Sequence, residues 1–374
     1  ARLRAEEKSR AERITGALRL LESVDAGSLK EKIDASTTTW LVAGLTSGLV
    51  QRHRAPACPA DFAVLATDGS HIDVDRHSSV KCSLVNIGSV FLQYGENPDA
   101  SLESRASLLF GDDLVVAGPA GREELVEGAL LGLRRGVEEL KALARLAQGL
   151  PRARAMVALV DGSLILWGVQ AFREFVADEL LGNGFLAALD AMKERRLALT
   201  SYISYPRSTD VVNALRVALC PHDPVDCDRQ CSEERSRACD AVAGVRDRDL
   251  FGALLEEGER SPLFLTGSPF VHKHYGEHQI HFFYLKLDEE VARLEVPNWV
   301  AADEELVGQV HALVLDQCRR GHGYPVALME AHEKAVVTAI DRERFWELIE
   351  MSLARDRMDI TGSGKQQSKR LRWA

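Results

Sequence analysis

Apolar positions along this chain fall into two patterns. One is the short unbroken run. Met156–Val160 is apolar throughout and stops on Asp161 (MVALVDGSLILW), as expected of a strand buried on both faces of a sheet. Gly162 then lets the backbone turn sharply. Phe62–Thr67 repeats the arrangement and runs into Asp68, Gly69 and Ser70. Further strands are expected in VKCSLVNIGSVFLQY (80–94), LALTSYISYP (197–206), HFFYLKL (281–287) and VARLEVPNWV (291–300, ended by Pro297). The other pattern is helical spacing. It predicts a charged amphipathic helix over residues 1–33, with Ile14, Leu18, Leu21 and Val24 on its apolar stripe and Ala17 and Leu20 widening it. Helices are also expected at 121–148, from about 163–172 to Arg196, at 208–220 capped by Ser208 or Thr209, early in 247–264, at 303–320, and from Pro325 onward. Strands and helices interspersed in this way predict an α/β fold: a mixed sheet flanked by helices, with a helical C-terminal part.

Two strands that each deliver an Asp-Gly-Ser to one sheet edge bring two carboxylates together. Close like charges are costly unless a cation lies between them, so Asp68 and Asp161 point to a divalent metal site. Helical geometry separates two further acids in 121–148. Glu138 shares a face with Arg134, Lys141 and Arg145, a solvated, ion-paired face. Glu139 lines up with Gly132, Gly136 and Leu143, toward the packed side, where a carboxylate needs a partner. Asp73 and Asp75 read as local turn caps rather than ligands.

The bulk numbers restrain rather than suggest. The 374 residues are 46% hydrophobic with mixed charge, as in an ordinary soluble chain of one or two domains. No run approaches the roughly 18 apolar residues of a membrane span, and residues 1–33 lack a signal-peptide core. Seven scattered cysteines fit a reducing cytoplasm. A net charge of −10 does not advertise a nucleic-acid surface, so any such contact must use local basic groups or metal ions. Cys220, Cys227, Cys231 and Cys239, with His222 nearby, form a cysteine-containing loop insertion at 220–239. Thiolates so concentrated suggest Zn²⁺ or an iron–sulfur cluster, against the plainer alternative of free cysteines. His272, His274, His278 and His281 read as surface or substrate-facing groups on a hairpin turning at Gly276. The tail TGSGKQQSKRLRW carries Lys365, Lys369, Arg370 and Arg372, which can contact backbone phosphate. It is no phosphate-binding loop: Asp359 stands five before Gly364, where that motif has Gly, and Gln follows Lys365.

Several segments together resemble the NurA nucleases of bacterial type: ATDGS near 68, LVDGSLILW near 161, SYISYPRSTDVVNALRVALC, LFGALLEEGERSPLF, HFFYLKLDEEVARLEVPNWVA, GYPVALMEAHEKAV at 323–336 and SGKQQSKR. The resemblance spans residues 60–374 and implies an RNase H-like core, leaving 1–34 as an N-terminal helix that packs on its own domain or docks on a partner. It implies a metal-dependent deoxyribonuclease, a 5′-to-3′ exonuclease with single-strand endonuclease activity, using Mn²⁺ or Mg²⁺. It implies a homodimer resecting DNA ends with a HerA-type hexameric ATPase. It supports Glu139 as the helix acid, and it pairs a Tyr with a His eight residues later, which makes Tyr324 and His332 active-site residues. The expected metal ligands are Asp68, Glu139, Asp161 and His332. Two other classes compete: a non-catalytic RNase H-like adaptor for DNA or the ATPase, and a nucleotide phosphohydrolase.

Overall fold

The computed structural model describes residues 2–75, 80–151, 155–231 and 237–355. Its centre is a mixed sheet. β1 (Phe62–Ile72), β2 (Cys82–Tyr94) and β3 (Asp99–Phe110) form an antiparallel meander, β4 (Ala155–Asp161) pairs parallel to β1, and β5 (Ala198–Ile203) pairs parallel to β4. The order β3-β2-β1-β4-β5 is the RNase H-like arrangement. β6 (Ile280–Lys286) and β7 (Val291–Pro297) continue the sheet antiparallel beyond β5, and the short strands Phe264–Leu265 and Gly44–Leu45 finish that edge.

Helices explain why β1 and β4 are apolar at consecutive positions. Side chains alternate across a strand, so both faces must be covered to bury such a run. Ala63 and Leu65 of β1 and Met156, Ala158 and Val160 of β4 enter a core beneath α3 (Ala129–Gln148). Phe62, Val64, Ala66, Val157 and Leu159 enter the opposite core, beneath α6 (Glu304–Arg320) and α7 (Val326–Ala335). A third core joins α1 (Arg2–Ser23) and α2 (Ala26–Asp34) to α4 (Asp210–Leu219) and α5 (Asp247–Leu254). Ala17 and Leu21 are buried there, so the apolar stripe of α1 packs on its own chain.

Local chemistry moved several boundaries. The stretch 1–33 breaks in two because the Asp25 side chain accepts from the Ser28 N–H at 2.8 Å and starts a new helix. The helix expected from 121 begins at Ala129; just before it, Asp73 fixes the Gly128 N–H with both carboxylate oxygens, at 3.1 and 3.0 Å. Residues 163–168 are not helical: Leu164, Ile165 and Leu166 are buried as irregular chain, and α-helix starts only at Glu174. At the start of α4 neither Ser208 nor Thr209 caps; Asp247 of α5 instead accepts from the N–H groups of Val211 and Val212, at 3.2 and 2.9 Å. The histidine segment is a short helix, Pro269–His274, followed by a turn into β6, rather than a hairpin. The basic tail with Lys365, Lys369, Arg370 and Arg372 lies outside the described residues.

Candidate active site

Register places the first two acids. Phe62 to Thr67 pair with Ala155 to Val160 one for one, so the next step sets Asp68 beside Asp161 on adjacent parallel strands, about 4.8 Å apart in backbone. Asp161 ends β4, and Gly162 turns the chain with φ 87°. Asp68 lies inside β1 rather than at its end, because β1 continues to Ile72 against β2.

Two close approaches bring the helices in. A Cβ on Gly69 would fall 2.5 Å from Glu139 Oε1, so only glycine lets that carboxylate reach the strand beside Asp68. Thr67 Oγ1 donates to the Glu139 carbonyl at 3.0 Å and fixes the height of α3. On the other face, a Cβ on Gly88, the β2 partner of Asp68, would sit 2.3 Å from the Ala331 carbonyl oxygen. α7 therefore lies directly on the β1–β2 pair. Asn86 Nδ2 bonds the carbonyls of Lys334 and Ala335, at 3.1 and 2.9 Å, and Ser70 Oγ also donates to the Ala335 carbonyl. So held, α7 presents His332 Nδ1 at 2.8 Å from Asp68 Oδ2. Tyr324, just before α7, packs edge-on against Tyr202 and bears on Asp161 through its hydroxyl.

The five residues Asp68, Glu139, Asp161, Tyr324 and His332 thus lie around the end of β4 and the adjacent stretch of β1. Glu139 is the electrostatic anomaly. Burial, opposed by Arg135 and reinforced by Asp68 and Asp161, pushes its carboxyl up to about 8. Arg135 Nε stands 3.1 Å from Glu139 Oε1 as an ion pair without hydrogen-bond alignment, which leaves this buried oxygen with no hydrogen-bond partner. Asp161 is also raised, first by partial removal from water and then by Asp68, while Tyr324, Gly162 and His332 oppose the rise. Three carboxylates grouped around β1 and β4, one with an unsatisfied buried oxygen, and an imidazole make a donor set whose chemistry fits a divalent cation taking oxygen and nitrogen ligands, though no three of their ligand atoms lie within 4.8 Å of one another. The flank beyond Tyr324 is acidic, with Glu257, Asp288, Glu289 and Glu290 lining an open cavity.

Residues 62–337 match the NurA domain model. The chain belongs to the NurA family. NurA domains make up a nuclease family, and the match covers most of the chain. No curated protein matches. Among solved structures, an Argonaute from Aquifex aeolicus aligns at 10% identity with a TM-score of 0.27, over 75% of this chain and 29% of its own. The chain thus spans under a third of that protein's length, and a likeness this weak carries no argument.

Sequence reading missed the residues that hold this NurA site in shape. Arg135 bonds the Gly69 carbonyl at 3.0 Å as well as facing Glu139; its spacing of four from Glu139 was the available signal. Glu295 accepts from Ser163 Oγ at 2.7 Å and from the Leu164 N–H at 3.0 Å, clamping the turn after Asp161. Arg293 and Glu295, two apart in an otherwise apolar strand, were visible as charges on one face of β7.

Among the described residues, the only three groups with ligand atoms all within 4.8 Å of one another are Asp190, Glu277 and His278, elsewhere in the fold. Such a cluster could hold a metal ion. His278, expected at the surface or facing substrate, is buried; its Nε2 lies 2.7 Å from Asp190 Oδ1, while Glu277 pairs with Lys193. None of Cys220, Cys227, Cys231 and Cys239 is in a disulfide. No helix among the described residues is long and apolar enough to cross a membrane.

Proposed function

We propose that this protein is a metal-dependent deoxyribonuclease hydrolysing phosphodiester bonds at the Asp68–Glu139–Asp161 site. The observation that carries the reading is the close approach of Glu139 to the β1 backbone at Gly69, next to Asp68 in the chain, a carboxylate brought into a buried place without a hydrogen-bond partner for Oε1. Such an arrangement costs stability unless a cation repays it.

In this reading Asp68, Glu139 and Asp161 hold the metal, and His332 completes the set from α7. Oxygen ligands suit Mg²⁺ or Mn²⁺, and the added imidazole favours Mn²⁺. Bound there, divalent ions supply a neutralising charge on the scissile phosphate and its leaving oxygen, and acidify a water. The residues of the chain do the rest. Burial keeps the Tyr324 phenol protonated far above neutrality, so it donates a hydrogen bond to the phosphate or the attacking water rather than acting as a base. Asp68 fixes the His332 ring through Nδ1, which leaves Nε2 free to ligate. Glu295 holds the turn after Asp161 in place, and Arg135 holds the β1 backbone beside Asp68.

The finer reading follows family membership: 5′-to-3′ trimming with some single-strand endonuclease action, at DNA ends, alongside a HerA-type hexameric ATPase, by a homodimer. The exposed face of α1 is the candidate docking element, and the tail lysines and arginines the candidate DNA contacts. End-labelled single- and double-stranded DNA incubated with Mn²⁺, Mg²⁺ or EDTA tests the core claim, with Asp161→Ala in parallel. Metal-dependent cleavage lost in the variant supports it. Equal cleavage by the variant sinks the site, and silence even with the ATPase added leaves an adaptor.

A further inference from the structure

Far from the acids, residues 220–242 make a segment that ordinary packing does not explain. CPHDPVDC and RQC carry few aliphatic side chains, and in the described parts Val225 and Val242 are the buried aliphatic residues. Yet its described parts keep a defined path. Thr37 N–H bonds the Val225 carbonyl at 2.8 Å, the Cys227 N–H returns to the Thr37 carbonyl at 3.0 Å, and Asp226 caps the Arg229 N–H at 3.1 Å.

What the path gathers is sulfur. Cys220 ends α4. Cys227 and Cys231 are one helical turn apart, the Cys231 N–H meeting the Cys227 carbonyl at 3.3 Å. Cys239 lies in the 3₁₀ turn Ala238–Val242, which packs back on α4 and sets its Sγ 3.9 Å from Arg216 Nη2, one turn before Cys220. Cys220 and Cys227 both pack against the core that joins α2 to α4, next to the turn that carries Cys239. Cys231 and Cys239 are buried and none is in a disulfide. Two guanidiniums sit at the same place: Arg216 at Cys239, and Arg237 donating to the Cys231 carbonyl at 2.8 Å.

We propose that Cys220, Cys227, Cys231 and Cys239 bind one structural zinc ion that ties the α1–α2 unit and α4 together. Four thiolates around Zn²⁺ carry a net charge of −2, and Arg216 and Arg237 are placed to offset it, as outer partners of thiolate sites do. Each thiol gives up a proton to solvent on binding; nothing is oxidised or reduced. Among the described residues no three of these sulfurs lie mutually within 4.8 Å, whereas ligands at about 2.3 Å from a shared ion come closer, so binding draws the segment inward. The site is independent of the nuclease reading, since no acid of that site takes part.

Metal content of the full-length protein, purified without added metal and without an affinity tag that binds metal, tests this. The expected result is about one zinc per chain, released into a chromogenic chelator when a mercurial blocks the thiols. Cys227→Ser/Cys231→Ser should lose it, whereas Asp161→Asn and Asp190→Asn/His278→Ala should keep it. A protein without thiol-releasable zinc overturns the proposal, as does zinc undiminished in the double cysteine variant. Iron with acid-labile sulfide in its place overturns it too. If the double variant fails to fold, release from the wild type still decides.

Discussion

Two clusters of three carboxylates stand on the same sheet, and they treat their charge in opposite ways. Asp210, Asp247 and Glu295 are buried around Arg293. Its guanidinium bonds Asp210 and meets Glu295 at 3.1 Å, while Asp247 takes two backbone N–H groups and the Tyr284 hydroxyl at 2.7 Å. Asp68, Glu139 and Asp161 have one arginine to their side and an oxygen left without a hydrogen bond. The first cluster is satisfied by the protein itself, which suits a structural role. The second is incomplete as protein alone, and incompleteness of that kind is what a cation site requires.

The largest contrast should appear on neutralising one acid. In the second cluster, Asp68→Asn or Asp161→Asn should cost more than the about 10–100-fold typical of outer partners of a metal site, with no loss of folding stability in the absence of metal. Cleavage within tenfold of wild type would merge the two clusters into one structural class. In the first cluster, Arg293→Ala should destabilise by about 3–5 kcal/mol in urea unfolding, because it strands buried carboxylates. A change under 1 kcal/mol would show that water reaches them.

Next in size is metal binding itself. Mn²⁺ at about a hundred times its dissociation constant should stabilise the wild type by about 2.7 kcal/mol, and Glu139→Gln should lose most of that. Equal stabilisation of both proteins would place the ion elsewhere, Asp190–His278 being the obvious site. Gly69→Ala should then weaken Mn²⁺ affinity roughly tenfold by pushing Glu139 off the strand, read by titrating activity against metal. Unchanged affinity would mean that α3 can slide.

The smallest effect concerns a third way of tolerating burial, which is to stay neutral. His311 is 1% exposed, and burial is the main reason its imidazole is held down to about 4. Its folded value lies below the ordinary one, so its contribution is present above about pH 6.5 and lost as pH falls through about 4. His311→Gln should flatten the melting temperature over that window relative to wild type. An unchanged slope would assign acid sensitivity to other groups.

Much of this was legible in the chain. Unbroken apolar runs ending on Asp announced β1 and β4, because covering both faces removes alternation. Helical periodicity separated Glu139 from Glu138, and in the structure Glu138 is ion-paired with Lys141 at 3.0 Å while Glu139 is buried. Other features depended on partners distant in sequence. β3 is an exposed edge strand with almost no buried residue, so it has no apolar signature. α8 (Ala339–Arg355) buries no residue either. The cap of α4 comes from Asp247, 35 residues from Val212, whose N–H it accepts, and no local motif could show it. Tyr324 and His332 carried meaning only through the family pattern, since a histidine on a helix face is usually no more than a packing residue.

The contact between His332 and Asp68 joins residues 264 apart in sequence. During synthesis the strand bearing Asp68 leaves the ribosome early, and α7 follows only after nearly the whole sheet has been made. The α7 contribution therefore arrives last, so a nascent or truncated chain can hold a nearly finished sheet without its histidine. A chain built in this order completes its sheet before His332 can reach Asp68.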